Sequence, residues 1–133
     1  MVDYTVVVRR NINELLAAAQ ARLARVAPQE AAARARDGWT IVDVRASDLR
    51  AEHGRIPGAV HAPLNVLEWR VDAESGDQEP ALVEREDRLI LVCQDGYSSS
   101  LAAIRLHELG YPNTTDVIGG FVAWHAAGLP VET

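Results

Sequence analysis

Two short apolar runs constrain the fold of this chain more than any other feature of its sequence. Residues 40–44 (TIVDV) and 88–92 (RLILV) are too short for core helices and are rich in aliphatic and β-branched side chains, which predicts two buried strands. Segments with helical periodicity alternate with these runs. This alternation predicts an α/β fold with a mainly parallel central sheet of about five short strands and helices on both faces.

The other predicted elements are weaker. Two further short strands are expected at 59–61 and 114–117, and the acidic stretch 72–80 is expected to be a surface loop. Helices are expected in four segments, 12–26, 28–37, 99–109 and 121–127, and Ser47 is a candidate cap of a further short helix.

The first helix has an alternative end. In an alternative interpretation the helix ends earlier and residues 25–27 begin a short strand. Pro28 then suits the first position of the second helix. Asn11 or Asn13 is a suitable N-cap for the first helix. Six apolar residues form its expected packing stripe: Ile12, Leu15, Leu16, Ala19, Leu23 and Val26.

Charge and residue counts exclude several classes of function. Thirteen basic and nineteen acidic residues give a formal net charge of −6, which disfavours nucleic acid as a partner. All the basic residues are arginine, so Schiff-base chemistry and a P-loop lysine are excluded. A single cysteine excludes an intramolecular disulfide and multi-thiolate metal sites, and the four histidines show no metal-ligand spacing. We therefore expect no metal and no cofactor.

The same sequence gives an expectation for location. No apolar run reaches the roughly 20 residues of a membrane span, and the first residues lack the apolar core of an export signal. An unpaired thiol is typical of a reducing compartment. We therefore expect a cytoplasmic protein that does not bind membranes.

The segment after the second strand is the main candidate site. Cys93 ends the apolar run, where parallel sheets place their functional groups, and a helix is expected soon afterwards. If the loop wraps around the sulfur, the backbone N–H groups of 94–99 would form an anion nest, and the helix N-terminus would add positive potential. Both effects favour thiolate over thiol. The alternative is that Cys93 is a small buried apolar residue. The candidate ligand-binding residues are Gln94, Asp95, Gly96, Tyr97, Ser98 and Ser99.

Asp43 and Arg45 follow the first strand toward the same sheet edge, so we consider them supporting residues. In one interpretation they form an ion pair that joins neighbouring loops. In the other, Arg45 supplies positive charge near the sulfur.

Four segments together resemble the rhodanese-like sulfurtransferase family. Residues 41–45 (IVDVR) are similar to its Asp-x-Arg strand, and 52–63 (EHGRIPGAVHAP) resemble its G-H-I-P-G-A segment, with Arg55 where the family often has His. Residues 91–99 (LVCQDGYSS) are similar to its active-site loop, and 117–131 (VIGGFVAWHAAGLPV) match its C-terminal signature. The resemblance implies a single-domain rhodanese-like protein over 25–133, preceded by an N-terminal helical extension over 1–24.

The resemblance also implies a chemistry. Cys93 would accept a sulfane sulfur, become a persulfide and pass the sulfur to a nucleophile. The implied partners are a small sulfur donor and a thiol or cyanide-like acceptor, with a protein thiol among the candidates. Many family members carry Arg or Lys in this loop, whereas this chain has Gln94, Tyr97 and Ser98 there, together with the acidic Asp95. Because a carboxylate repels a dianion, thiosulfate is an unfavourable donor in this interpretation.

Two other functions are compatible with the fold. One is a non-catalytic binding or regulatory module that docks a partner at the loop edge. The other is a phosphatase, which we expect least. A phosphate-cleaving loop needs an Arg that holds the phosphoryl oxygens, and the nearest arginine after Cys93 is Arg105, inside the predicted helix.

Overall fold

The computed structural model describes residues 8–85 and 87–133. The described chain contains a parallel sheet of four short strands: β1 Thr40–Asp43, β2 Val60–His61, β3 Leu89–Val92 and β4 Thr115–Asp116. Six helices surround it: α1 Ile12–Ala21, α2 Pro28–Arg36, α3 Ser47–His53, α4 Leu67–Val71, α5 Ser98–Glu108 and α6 Gly120–Ala126.

The strand order β2-β1-β3-β4 brings the carboxyl ends of the strands to one edge of the sheet. All pairs are parallel, and Ile41 of β1 stands opposite Ile90 of β3. The α/β parallel fold is therefore confirmed, but the expected number of about five strands is slightly too high. The fifth candidate, 25–27, makes only one bridge, between Val26 and Val117, because a helix begins at Pro28 directly afterwards.

The core has two layers because successive residues of a strand point to opposite faces of the sheet. On one face, Val42 and Leu91 pack with α4 and α5 residues such as Leu67 and Leu106. On the other face, a second cluster joins strand residues to α2 and α6, and includes Ile41, Ile90, Ala31, Phe121 and Trp124. β3 is buried along its whole length, and Cys93, which follows it, belongs to the first of these two clusters.

Helix α1 is shorter than the sequence predicts. Asn11 caps it in a capping box with Glu14, and it ends at Ala21 rather than Val26. The end is early because Val26 turns away to hydrogen-bond the chain around β4. The strand of the alternative interpretation is reduced to the single bridge between Val26 and Val117. Most of the expected stripe is not core, since Ile12 is 61% exposed, Leu15 is also exposed and only Ala19 and Val26 are fully buried.

The structure contains two elements that the sequence did not predict. Helix α4 is a single apolar-faced turn, and a 3₁₀ turn covers Pro80–Leu82. Both are too short for a periodicity signal. Within the described residues, no helix combines the length and the apolar character needed to cross a membrane.

Candidate active site

Cys93 lies directly after β3, at the edge where the strands end. It is only 4% exposed, and its Sγ accepts hydrogen bonds from the backbone N–H of Gly96 at 3.1 Å and of Ser99 at 3.4 Å. The Oγ of Ser99 is 3.2 Å from the same sulfur. The loop therefore directs two backbone N–H groups toward a single sulfur, an arrangement that stabilises a sulfur anion, while the thiol itself donates to Ser99 Oγ.

Two glycines make this wrapping possible. Gly96 has φ +83°, and a Cβ there would lie 2.7 Å from the backbone N of Gly119. Gly120 has φ +62°, and a Cβ there would lie 2.5 Å from the carbonyl oxygen of Cys93. The start of α6 supports the loop from outside, where the N–H of Phe121 donates to the carbonyl of Cys93 at 2.8 Å. Only glycine permits backbone this close at a positive φ.

The candidate ligand-binding residues do not all face the sulfur. Ser99 is fully buried against it, and Ser98 is half-buried at the mouth of an adjoining cavity. Gln94 turns toward Arg45 and accepts a hydrogen bond on its side-chain oxygen at 3.1 Å. Asp95 is exposed, and Tyr97 is 64% exposed at the loop tip.

The first supporting cluster stands at the end of β1. Asp43 and Arg45 are both buried, with Arg45 Nη2 2.8 Å from Asp43 Oδ2 and Nε 3.0 Å from Oδ1. Arg45 also donates to the carbonyl of Gly54 at 2.8 Å, and its guanidinium lies 4.0 Å from the ring centre of Phe121. Asp43 further pairs with Arg50 at 3.2 Å. This cluster joins three loops, as the first interpretation of the pair expected, and its Arg45 lines the cavity beside Cys93.

The second cluster was not predicted from the sequence. Asp116, at the end of β4, is fully buried and pairs with Arg25, whose Nε is 2.8 Å from Oδ1. Its Oδ2 accepts the hydroxyls of Ser99 at 2.8 Å and Ser100 at 2.7 Å. Arg25 Nη2 also donates to the carbonyl of Gly96 at 2.9 Å. The available signal was the acidic residue inside a strand next to the cysteine strand, since such a buried carboxylate needs a partner.

A cavity of about 540 Å³ opens beside the sulfur. Its wall is mostly apolar and includes Val44, Leu49, Pro63 and Leu64. Its polar contributions include Arg45, Asn65 and Gln94. The cavity is therefore suited to a ligand that has apolar as well as polar parts.

This parallel sheet with a loop-wrapped cysteine at its carboxyl edge defines an α/β domain with one candidate site centred on a sulfur. The chain belongs to the rhodanese-like domain family, whose model matches residues 27–127. It is 32% identical over 108 residues to the thiosulfate sulfurtransferase GlpE of Haemophilus influenzae, covering 81% of this chain and 93% of that protein.

The chain is also similar to proteins of known structure, including one from Rhodopseudomonas palustris and one from Anabaena. A Rhodopseudomonas palustris protein of unknown function, described as a possible tyrosine phosphatase, has a TM-score of 0.84 and 27% identity over 98% of this chain and 100% of that chain. The rhodanese-like domain of an Anabaena protein has a TM-score of 0.64 and 26% identity over 81% of this chain and 77% of that chain. The family resemblance seen in the sequence is thus confirmed.

Proposed function

We propose that this protein is a sulfurtransferase that carries a sulfane sulfur as a persulfide on Cys93. The observation that carries the proposal is the environment of Sγ, which receives the N–H groups of Gly96 and Ser99 and adjoins an open cavity. Similarity to the Haemophilus thiosulfate sulfurtransferase supports transferase chemistry. A merely structural cysteine needs neither the donors nor the cavity.

The proposed reaction has two displacements at sulfur. In the first, the Cys93 thiolate attacks the sulfane sulfur of a donor, so that a bond from Sγ to that sulfur forms. The bond between this sulfur and the donor breaks, and the donor leaves with the bonding electron pair. In the second, an acceptor thiolate or cyanide attacks the outer sulfur, the Sγ–S bond breaks, and the Cys93 thiolate is restored.

The loop supplies what this chemistry needs. The attacking and departing species at Cys93 are both sulfur anions, and the loop N–H groups stabilise such charge without reorganising. The described hydrogen-bond partners of Sγ are Gly96 and Ser99, so the proposal relies on these loop groups rather than on a histidine base.

The cavity favours an organic partner over a compact dianion. Its only lining arginine among the described residues is Arg45, whose donors already serve Asp43, the Gly54 carbonyl and Gln94. Asp95 adds an exposed carboxylate to the same loop. We therefore propose organic persulfides or thiol-borne sulfane sulfur as donors and thiols, including a protein thiol, as acceptors. Thiosulfate remains the donor in the name of the Haemophilus relative.

The proposal also covers the cellular compartment and the boundaries of the domain. An unpaired thiol that must ionise is compatible with a reducing compartment such as the cytoplasm. We assign the catalytic domain to 25–133 and treat 1–24 as an added segment, since the family model begins at residue 27. No cofactor takes part in this scheme.

Intact-mass measurement tests the proposal. The protein is incubated separately with cysteine persulfide, 3-mercaptopyruvate and thiosulfate, and we expect a gain of about 32 Da, the mass of one sulfur atom, on Cys93. Added cyanide or dithiothreitol should remove it. A folded Cys93→Ser protein serves as the control and should gain nothing. If no donor loads the parent protein, the proposal is wrong and the non-catalytic binding module is favoured.

The phosphatase alternative has its own test. The similar Rhodopseudomonas protein is described as a possible tyrosine phosphatase, yet no arginine lies between Cys93 and Ser100 here. Arg25 does reach the loop carbonyl of Gly96, but its guanidinium is already paired with Asp116. We expect no hydrolysis of p-nitrophenyl phosphate above a Cys93→Ser control. Cys93-dependent hydrolysis would reverse this assignment.

A further inference from the structure

We infer that Arg25 is a positioning residue for the Cys93 sulfur anion. By neutralising the buried carboxylate of Asp116, Arg25 leaves Ser99 free to turn its hydroxyl hydrogen toward the sulfur. This inference rests on the proposed function only in giving the sulfur anion a catalytic use. It concerns a residue outside the matched family segment of 27–127.

The first observation is how the carboxylate of Asp116 is satisfied. Oδ1 accepts Arg25 Nε at 2.8 Å. Oδ2 accepts three donors: Ser99 Oγ at 2.8 Å, Ser100 Oγ at 2.7 Å and Arg25 Nη2 at 3.2 Å. Because Asp116 is fully buried, it depends on these groups for its stability as an anion. Losing the Ser99 bond still leaves it with three donors.

The second observation is the place of the Ser99 hydroxyl. It lies 2.8 Å from Asp116 Oδ2 and 3.2 Å from Cys93 Sγ, and it has one hydrogen to donate. With a neutral thiol, the S–H donates to Ser99 and the Ser99 O–H donates to Asp116. When the thiol loses its proton to solvent, the Ser99 hydroxyl stabilises the sulfur anion by turning its hydrogen from Asp116 to Sγ. Stabilisation of the thiolate by the Ser99 hydroxyl therefore depends on Asp116 releasing that hydrogen.

Charge determines whether this release is favourable. The two hydrogen bonds that connect Asp116 to the sulfur put the carboxylate oxygen within about 6 Å of Sγ. An uncompensated carboxylate at that distance would repel the thiolate and would also hold the Ser99 hydrogen more tightly. The guanidinium of Arg25, paired with both carboxylate oxygens, opposes both effects.

Other charged groups around the sulfur are arranged differently. Arg45 lines the cavity beside Cys93, and its charge is shared with Asp43, which Arg50 also contacts. Asp95 is exposed to solvent, where screening weakens its effect. Among the described contacts of Sγ, only Ser99 leads to a buried charge through a single hydroxyl.

Backbone contacts fix Arg25 in this position. The N–H of Val26 donates to the carbonyl of Asp116 at 3.1 Å, and the N–H of Ile118 donates to the carbonyl of Val26 at 2.9 Å. The neighbouring helix α1 adds Gln20, whose side chain donates to Ser100 Oγ at 3.2 Å. The segment before the matched domain thus supports the loop through residues that do not line the cavity.

The test measures sulfur ionisation independently of sulfur transfer. The rate of alkylation by iodoacetamide is followed against pH for the parent, Arg25→Met, Arg25→Lys, Asp116→Asn and the double variant Arg25→Met/Asp116→Asn. Arg105→Met is the matched control, because it removes an arginine from an exposed ion pair on α5. Circular dichroism and thermal melting establish that each variant is folded.

We expect opposite shifts for the two partners. Arg25→Met should raise the midpoint of the alkylation profile by about one to two pH units, the range set by one charge at this distance and an effective dielectric near 20. Arg25→Lys should keep the midpoint within about half a pH unit of the parent, because the positive charge remains. Asp116→Asn should lower it, and the double variant should return it to within about half a pH unit of the parent. Arg105→Met should leave it unchanged.

Several outcomes would overturn the inference. They are an unchanged midpoint in folded Arg25→Met, a shift of equal size in Arg105→Met, or an Asp116→Asn shift in the same direction as Arg25→Met. If Arg25→Met does not fold, the direction of the Asp116→Asn shift and the midpoint of the double variant decide. Sulfur loading of the parent is measured in parallel, so that failure of the proposed function is seen as absent loading, separately from the alkylation profiles.

Discussion

Two buried aspartate–arginine pairs flank the cysteine strand, and they contact the cysteine loop in different ways. Asp43 and Arg45 are two residues apart, at the end of β1, whereas Asp116 and Arg25 are 91 residues apart and meet at the end of β4. The first pair is buried completely and joins the Gly54 carbonyl to the side chain of Gln94. The second leaves the Arg25 side chain 16% exposed and holds two serine hydroxyls.

The difference lies in how each pair reaches the sulfur. The β1 pair reaches the loop through the side chain of Gln94 and so shapes the cavity wall. The β4 pair reaches it through Ser99, which touches Sγ, and through the carbonyl of Gly96, whose N–H also touches Sγ. Two pairs of the same chemistry therefore have separable expected roles: the first chiefly affects folding stability, and the second chiefly affects the state of the sulfur.

The largest effect is expected from Gly96→Ala, which breaks the link between the β4 pair and the sulfur. A Cβ would stand 2.7 Å from the N of Gly119, so the loop must move. Because displacements near 1 Å at reacting atoms lower rates by about 100-fold, persulfide loading should fall by at least that factor. Gly58→Ala is the control, since Gly58 has φ +80° but a Cβ added there would meet nothing within 4 Å. Equal losses of persulfide loading in both variants would mean that an alanine at positive φ, rather than the clash at position 96, causes the loss.

Arg45→Met should cause the larger loss of stability of the two arginine variants. It leaves a buried Asp43 with only the partly exposed Arg50 as a cation, and breaking such pairs typically lowers the free energy of unfolding by about 3 to 5 kcal/mol. Arg25→Met should lower it by about 2 kcal/mol, because solvent reaches the Arg25 side chain and the two serines still hold Asp116. Urea unfolding followed by circular dichroism measures both. A larger loss of stability in Arg25→Met than in Arg45→Met would contradict the assignment of the β1 pair to folding stability.

Ser99→Ala should change the sulfur more than Ser100→Ala does. Both serines donate to Asp116, but only Ser99 contacts Sγ. Loss of a hydrogen bond to a charged group predicts an alkylation rate at neutral pH about tenfold lower for Ser99→Ala, with the limiting rate at high pH retained. Ser100→Ala should lower the neutral rate less, through Asp116 alone. If the two variants behave alike, the hydroxyl contact with Sγ has no role of its own.

Asp95 tests how an exposed charge on the loop, in contrast to the two buried pairs, affects the choice of sulfur donor. Asp95→Asn, and more so Asp95→Arg, should raise kcat/KM for thiosulfate severalfold at low ionic strength, because an exposed carboxylate on the loop repels a dianion. The gain should shrink in high salt and should be smaller with an uncharged persulfide donor. Steady-state kinetics with cyanide as acceptor, at low and high salt, measures the change in kcat/KM. If neither variant exceeds the parent at low salt, Asp95 does not face the donor.

The strength of each local pattern determined how well an element could be predicted. β1 and β3 follow directly from their apolar runs, and α2, α5 and α6 are found within one or two residues of their expected bounds. Helix α4 was missed because five residues make little more than one turn, too few to show a period. Helix α1 was extended too far because Leu23 and Val26 continue its apolar spacing, although Val26 packs beside β4.

The sequence by itself determined where the candidate sulfur would be. A buried strand, Cys93, a glycine loop and a helix are consecutive over residues 89–108, so local patterns contain the information. The partners of Asp116 were decided only by the tertiary structure. Arg25 and Asp116 are far apart along the chain, and each by itself is an ordinary charged residue. They meet because β4 pairs with β3 while Val26 bonds to the far side of β4, which creates the buried position where a carboxylate requires a cation.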